Sequence, residues 1–115
     1  MATFTKVKLS GSTNGRGIAV AATATLGTTI HAAHATALDE IWLYANNIHS
    51  SAVTLTVEFG GVTATSDLIQ QSIAVTPSGL VLVVAGLLVT GSVSVTAFAG
   101  TANKIELFGF VNRIA

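Results

Sequence analysis

The sequence predicts a single all-β domain of 115 residues, an antiparallel β-sandwich of jelly-roll type with about eight strands. Three observations predict it. Apolar and polar residues alternate along several segments, which is the period of a strand with one buried face. The composition runs to Ala (18), Thr (16), Gly (11) and Ser (9), with Val and Ile in the alternating segments, and no window holds an apolar stripe at helical spacing. Turn residues punctuate the chain at roughly 8- to 15-residue intervals, the rhythm of a sandwich or small barrel.

The elements follow in order. Residues 3–9 read as a strand, and residues 1–16 together as an N-terminal arm or edge strand and its turn. The segment GSTNGRG (11–17) is a tight turn in which Asn14 and Gly15 supply positive φ. Strands are expected at 18–25 and 28–32, and HAAHATAL (31–38) is an irregular segment or a short helix. In 38–48, Ile41, Leu43 and Ala45 share one face and Trp42 and Tyr44 the other. In 51–60, Val53, Leu55, Val57 and Phe59 alternate with Thr54, Thr56 and Glu58, and the polar residues 46–50 between these two strands suggest a hairpin. Gly60 and Gly61 mark a turn, 68–75 a strand, and Thr76-Pro77-Ser78-Gly79 a turn where the only proline costs no ladder bond. Residues 80–85 read as a strand whose run 80–84 is apolar on both faces, so it is expected to be covered twice, by the core and by a neighbour or loop. Gly86 and Gly91 are further turn signals, and 93–96 and 104–112 alternate around residues 100–103, a second apparent hairpin.

Composition excludes several function classes. Ten charged side chains, five of each sign, leave no net charge and no general attraction to nucleic acid or to anionic membranes. The longest apolar run, residues 80–89, is half of what an α-helix needs to cross about 30 Å of hydrocarbon. Seven aromatics cannot furnish the girdles of a membrane barrel. The opening MATFTKVKLSG has no apolar core, so no secretory signal is expected. Without cysteine there is no disulfide, thiolate metal site or cysteine nucleophile. Only 9% of residues are charged and mean hydropathy is +0.71, so part of the surface is expected to lie against partner subunits.

No constellation points to catalysis. Residues 11–17 lack the Lys-Ser/Thr and the following helix of a phosphate-binding loop. His31 and His34 are three apart with no third ligand in view, and His49 is remote, so a surface or interface pair is expected in place of a metal site. Asp39 and Glu40 diverge if they lie on a strand, Asp67 is far away, and His49 beside Ser50 and Ser51 is no triad by adjacency alone. The chain is expected to be no enzyme and to need no cofactor. The aromatics are the remaining candidates for contact. Trp42 and Tyr44 share one strand face, and Phe108 and Phe110 share another, with Phe98 expected on a neighbouring strand.

Four blocks read together add a resemblance: DEIWLYANN (39–47), SAVTLTVEFGG (51–61), SGLVLVVAGL (78–87) and IELFGFVNRI (105–114). The chain resembles small β-rich virion proteins of tailed bacteriophages that are encoded beside the major capsid protein. The resemblance covers nearly the whole chain and rests on overall pattern. It implies a capsid decoration (cement) protein, made in the bacterial cytoplasm and carried on the outer surface of the virion. Its implied partners are the major capsid protein and itself, as a homotrimer, with no nucleic acid and no membrane. A head–tail accessory protein or a carbohydrate- or receptor-binding β-module is the alternative.

Overall fold

The computed structural model describes residues 2–24, 26–59 and 65–115. Nine strands are found among them: β1 (Phe4–Lys8), β2 (Ile18–Ala19), β3 (Thr28–Ala32), β4 (Leu38–Asn47), β5 (Val53–Phe59), β6 (Leu68–Val75), β7 (Val81–Val89), β8 (Ser94–Ala99) and β9 (Ile105–Ile114). They form two antiparallel sheets. The first has the order β1-β9-β4-β7, with β2 also paired to β9, and the second the order β3-β8-β5-β6.

These orders are those of a jelly roll. Strands pair from the outside of the chain inward (β1 and β2 with β9, β3 with β8, β4 with β7, β5 with β6), as if one long hairpin had been wrapped round a core. The pairs β4·β9 and β5·β8 then stitch neighbouring turns of the wrap together. Eight strand positions result, the first shared by β1 and β2. The sandwich is not a closed barrel, because β6 and β7 end their respective sheets.

The alternation read from sequence decides which side faces in. Ile41, Leu43 and Ala45 of β4 and Val53, Leu55 and Val57 of β5 are buried between the sheets, with Val95 and Ala97 of β8 and Leu107 and Val111 of β9. Asn14 and Gly15 adopt positive φ in the predicted turn.

Two predicted hairpins are corrected. β4 and β5 lie in different sheets, and so do β8 and β9. A polar turn between alternating segments reports only that the chain reverses; in a jelly roll the reversal carries it across the core into the other sheet. Of consecutive strands, only β5 and β6 pair. The strand expected at 18–25 ends at Ala19 for the same reason. The Val20 N–H donates to Ile105 in the first sheet, while the Ala22 carbonyl accepts from Ala99 in the second. Gly86 does not stop β7. It is a bulge residue with φ +73°, skipped between the Ile41–Leu87 and Trp42–Ala85 pairs. Residues 33–37 form no helix, and 35–37 are bends. The turn read at Gly60 and Gly61 lies outside the described residues.

Candidate interaction face

Cross-strand register arranges the outward side chains of the first sheet in rows. Phe4, Ile114 and Leu38 form one row, and Lys6, Asn112, Glu40 and Leu88 the next. Lys8, Phe110, Trp42 and Ala85 follow, then Phe108, Tyr44 and Leu82. Most of these side chains are apolar or aromatic. The outer face of the first sheet is therefore greasy. On the outward side of the second sheet, β5 carries Thr54, Thr56 and Glu58 and β8 carries Ser94, Thr96 and Phe98, but Thr56, Glu58 and Thr96 are buried, so much of this side is covered and not open to solvent.

At the centre of the greasy face, Trp42 and Phe110 stack with centroids 6.4 Å apart and planes 12° from parallel. The indole is held by a hydrogen bond from Nε1 to Glu40 Oε1 (2.8 Å), and Asn112 Nδ2 donates to the same oxygen (3.0 Å). These two donors, Asn112 first, hold the Glu40 carboxyl below the usual carboxylate range. Gly86 makes room for the ring, because a Cβ there would lie 3.1 Å from Trp42 Cζ2. Lys6 Nζ sits 4.6 Å from the Phe110 centroid, a cation–π contact. Phe108 is tucked beneath the 11–17 turn, where its ring occupies the space a Gly17 side chain would need.

Trp42, Tyr44, Phe108 and Phe110 thus share one face, each half-buried, as the sequence predicts for the first pair and the second. Phe98 does not join them. It lies on β8, paired with Thr56 in the other sheet, because the 93–96 and 104–112 segments form no hairpin.

The apolar surface continues past the aromatics to β7, the edge of the sheet. Leu80, Leu82, Leu87 and Leu88 are 61%, 47%, 37% and 55% exposed. Val83, Val84 and Val89 are buried, while Leu82 and Leu88 lie open on the outer side and Leu87, paired with the inward Ile41, is open at the sheet edge. A groove separates β7 from β6, bridged by Gln70 Nε2, which donates to the Val83 carbonyl (2.8 Å).

The histidines have separate positions. His31, expected at a surface, is buried at 1% exposure on β3 and donates from Nε2 to Asp39 Oδ2 (2.8 Å). The Ser10 N–H points at Nδ1 (3.1 Å), so the ring proton sits on Nε2. Asp39, itself fully buried, also accepts from Arg113 Nε (2.7 Å), Arg113 Nη2 (3.0 Å) and the His34 N–H (3.2 Å). Burial alone pushes this carboxyl up, but the Arg113 and His31 hydrogen bonds outweigh it and hold Asp39 far below the usual range. The Arg113 guanidinium is correspondingly held above its ordinary value by the Asp39 hydrogen bond.

This cluster clasps β3 of one sheet to β4 and β9 of the other. Its histidine is sealed from solvent and its carboxylate is already committed to four donors, so it can hold the sandwich but cannot bind substrate. His34 is exposed, its Nδ1 accepting from the Thr36 and Ala37 N–H groups to close the bend. His49 is half-buried in the β4–β5 connection. Glu40 faces out of the first sheet and Glu58 out of the second, so the acids do not converge with Asp39. Among the described residues no three His, Cys, Asp or Glu side chains gather as a metal site.

No protein-family model, no curated protein and no solved structure matches this chain.

Proposed function

We propose that the chain is a structural assembly protein without enzymatic turnover, and specifically a capsid decoration protein that reinforces the shell of a tailed bacteriophage by bridging capsid subunits. The observation that carries the assembly reading is the outer face of the first sheet, where half-buried aromatic rings adjoin exposed leucines. An aromatic and leucine-rich face of this kind is suited to lie against a partner. Sparse charge supports it, since a charge taken out of water costs several kcal/mol unless paired. The placement on a phage shell comes from the sequence resemblance.

Decoration would act by mass action. A ligand that binds only the assembled lattice stabilises it by RT ln(1 + [L]/Kd), about 2.7 kcal/mol at a hundredfold excess over Kd. Copies bound to neighbouring subunits act together because each is held at high effective concentration. The test is to delete or strip the protein from particles and heat them. Shells lacking it should rupture at a lower temperature and imaging should place it on the head. An unchanged rupture temperature, or density in the tail, would replace this reading with a head–tail role.

One observation favours a carbohydrate-binding module as the second reading: the Trp42–Phe110 stack is only half-buried and flanked by Glu40 and Asn112. Trp42 is the sole tryptophan, so a saturable change in its emission on titration with soluble oligosaccharides would favour that module.

A further inference from the structure

We infer that Asn14 is a self-modification site: the Gly15 backbone nitrogen attacks its side-chain amide, which is lost as ammonia and leaves an aspartyl or isoaspartyl linkage in the 11–17 turn. The inference is independent of the assembly reading above. Asn14 and Gly15 are the two central residues of a tight turn, with φ of 55° and 83°, closed by the Arg16 N–H donating to the Thr13 carbonyl (3.0 Å). Both are exposed, and among the described residues nothing accepts from the Gly15 N–H and nothing bonds the Asn14 side chain. A Cβ at Gly15 would meet nothing within 4 Å, so the attacking nitrogen is flanked by open space.

Solvent hydroxide first removes the Gly15 amide proton. The nitrogen then bonds to Asn14 Cγ, closing a five-membered imide; the Cγ–Nδ2 bond breaks, and Nδ2 takes a proton from water and departs as ammonia. Water next adds to one of the two imide carbonyls. Opening at Cγ gives an aspartyl residue, and opening at the main-chain carbon gives an isoaspartyl residue whose chain runs through Cβ and Cγ. The sum is one water consumed and one ammonia released, with no change of oxidation state. Attack within a ring needs no second molecule to be brought to the amide. Charge favours the step. Residues 1–17 hold Lys6, Lys8 and Arg16 and no acid. Lys8 Nζ donates to the Ser12 carbonyl (3.1 Å), and neither Lys8 nor Arg16 is paired with a carboxylate among the described residues. Positive charge on the turn stabilises both the anionic nitrogen and the carboxylate that follows. Glu106 of β9 reaches the turn only at Gly17, its far end.

The other asparagines lack this combination. Asn47 is buried, with Nδ2 donating to the Ser51 and Val75 carbonyls, and Asn46 and Asn112 lie within β4 and β9, where the ladder holds the backbone. Asn103 shares the exposure and the positive φ, but the next residue is Lys104, whose Cβ crowds the attacking nitrogen. The modification also has a structural consequence. The turn is seated on Phe108, whose ring fills the space a Gly17 side chain would need. An isoaspartyl linkage lengthens the main chain by one carbon between Thr13 and Arg16, the residues whose hydrogen bond closes the turn. It loosens the turn over Phe108 at one end of the greasy face, and the chain passes from five acids against five bases to six against five.

The experiment is storage of the purified full chain at mildly alkaline pH, folded in buffer and unfolded in urea, with heavy-oxygen water in a parallel sample. Mass spectrometry then reads the tryptic peptide Leu9–Arg16. In the folded chain this peptide should gain the mass difference between an acid and an amide, resolve into two products and take up one heavy oxygen atom from the labelled water. Its rate should lie within an order of magnitude of the unfolded rate, and at least an order of magnitude above that of any other asparagine in the folded chain. Asn14→Gln should stay unconverted. Phe108 ring resonances should shift in the isoaspartyl fraction and not in Asn14→Asp, which adds the charge without lengthening the chain. A folded chain that stays intact overturns the inference, whatever the unfolded chain does, and so does conversion of another asparagine first. Phe108 resonances unmoved in the isoaspartyl fraction overturn the loosening of the turn.

Discussion

Replacing Asp39 with Ala should cost this domain about 3 kcal/mol, toward the low end of the roughly 3–5 kcal/mol expected when one partner of a buried ion pair is removed. The structure supplies the reasons for both the size and the low end. Asp39 is fully buried and accepts from two Arg113 nitrogens, His31 Nε2 and the His34 N–H, so its loss strands a guanidinium and two N–H donors. The Arg113 side chain is 26% exposed, however, and can recover part of its hydration. For a domain of this length, 1 kcal/mol shifts the melting temperature by about 4 °C, so the variant should melt about 12 °C lower. The assay is thermal unfolding by circular dichroism, repeated for Arg113→Ala and the double variant. Because both side chains belong to one pair, the double variant should lose at least 1 kcal/mol less than the sum of the singles. A drop under 4 °C (about 1 kcal/mol), or strict additivity, would refute the clasp as an energetic link between the sheets.

Other expectations can be checked with the same material. Asp39 is held below its unfolded value, so its contribution is complete above about pH 4 and fades as pH falls through its native value; acid titration followed by Trp42 emission should show this extra acid sensitivity in the wild type and its loss in Asp39→Asn. Gly109→Ala should cost about 3 kcal/mol or more, because a Cβ at this position, paired with Leu43, would run into the Trp42 carbonyl oxygen; a melting temperature within 3 °C of wild type (under about 1 kcal/mol) would contradict the close approach of β4 and β9. Trp42→Ala removes a stack worth about 0.5–1.5 kcal/mol and a part-buried hydrogen bond, so folding should weaken modestly while assembly falls at least tenfold, as read by melting and by binding to particles. Equal losses in monomer and assembly would place Trp42 in the folding core. Raising salt from about 50 mM to 500 mM should leave shell binding nearly unchanged, since contacts through leucine and aromatic rows are unscreened; a steep loss would mean that Lys6, Lys8 and Glu40 carry the contact.

Strand positions were legible because a strand that is half-buried writes its burial into every second residue. Val53, Leu55 and Val57 announce β5, and Ile41, Leu43 and Ala45 announce the inner side of β4, whatever the topology around them. Pairing was not legible. A turn between two alternating segments is compatible with a hairpin and equally with a crossing between sheets, since both reverse the chain. What distinguishes them is which distant strand lies beside each one, here β9 beside β4 and β8 beside β5. Phe98 was misplaced by that ambiguity alone.

The clasp was within reach of the same parity reasoning. Asp39 is an odd-numbered residue on the strand whose odd positions, Ile41, Leu43 and Ala45, face the core, so a carboxylate had to enter the interior. Arg113 shares parity with Leu107 and Val111, the inward positions of β9. An inward acid and an inward base in a chain with only ten charges all but require each other, because either one alone would be a buried, unpaired ion. His31 could not be found in that way, since the register shift between Thr29 and His31 breaks the alternation of β3. The greasy face lies at the opposite limit. Its rows exist only once β1, β9, β4 and β7 are set side by side, and the leucines of β7 read as a doubly buried strand until the structure shows them as an edge. A run apolar on both faces says that both faces are to be covered, and in this fold the chain itself covers only one of them.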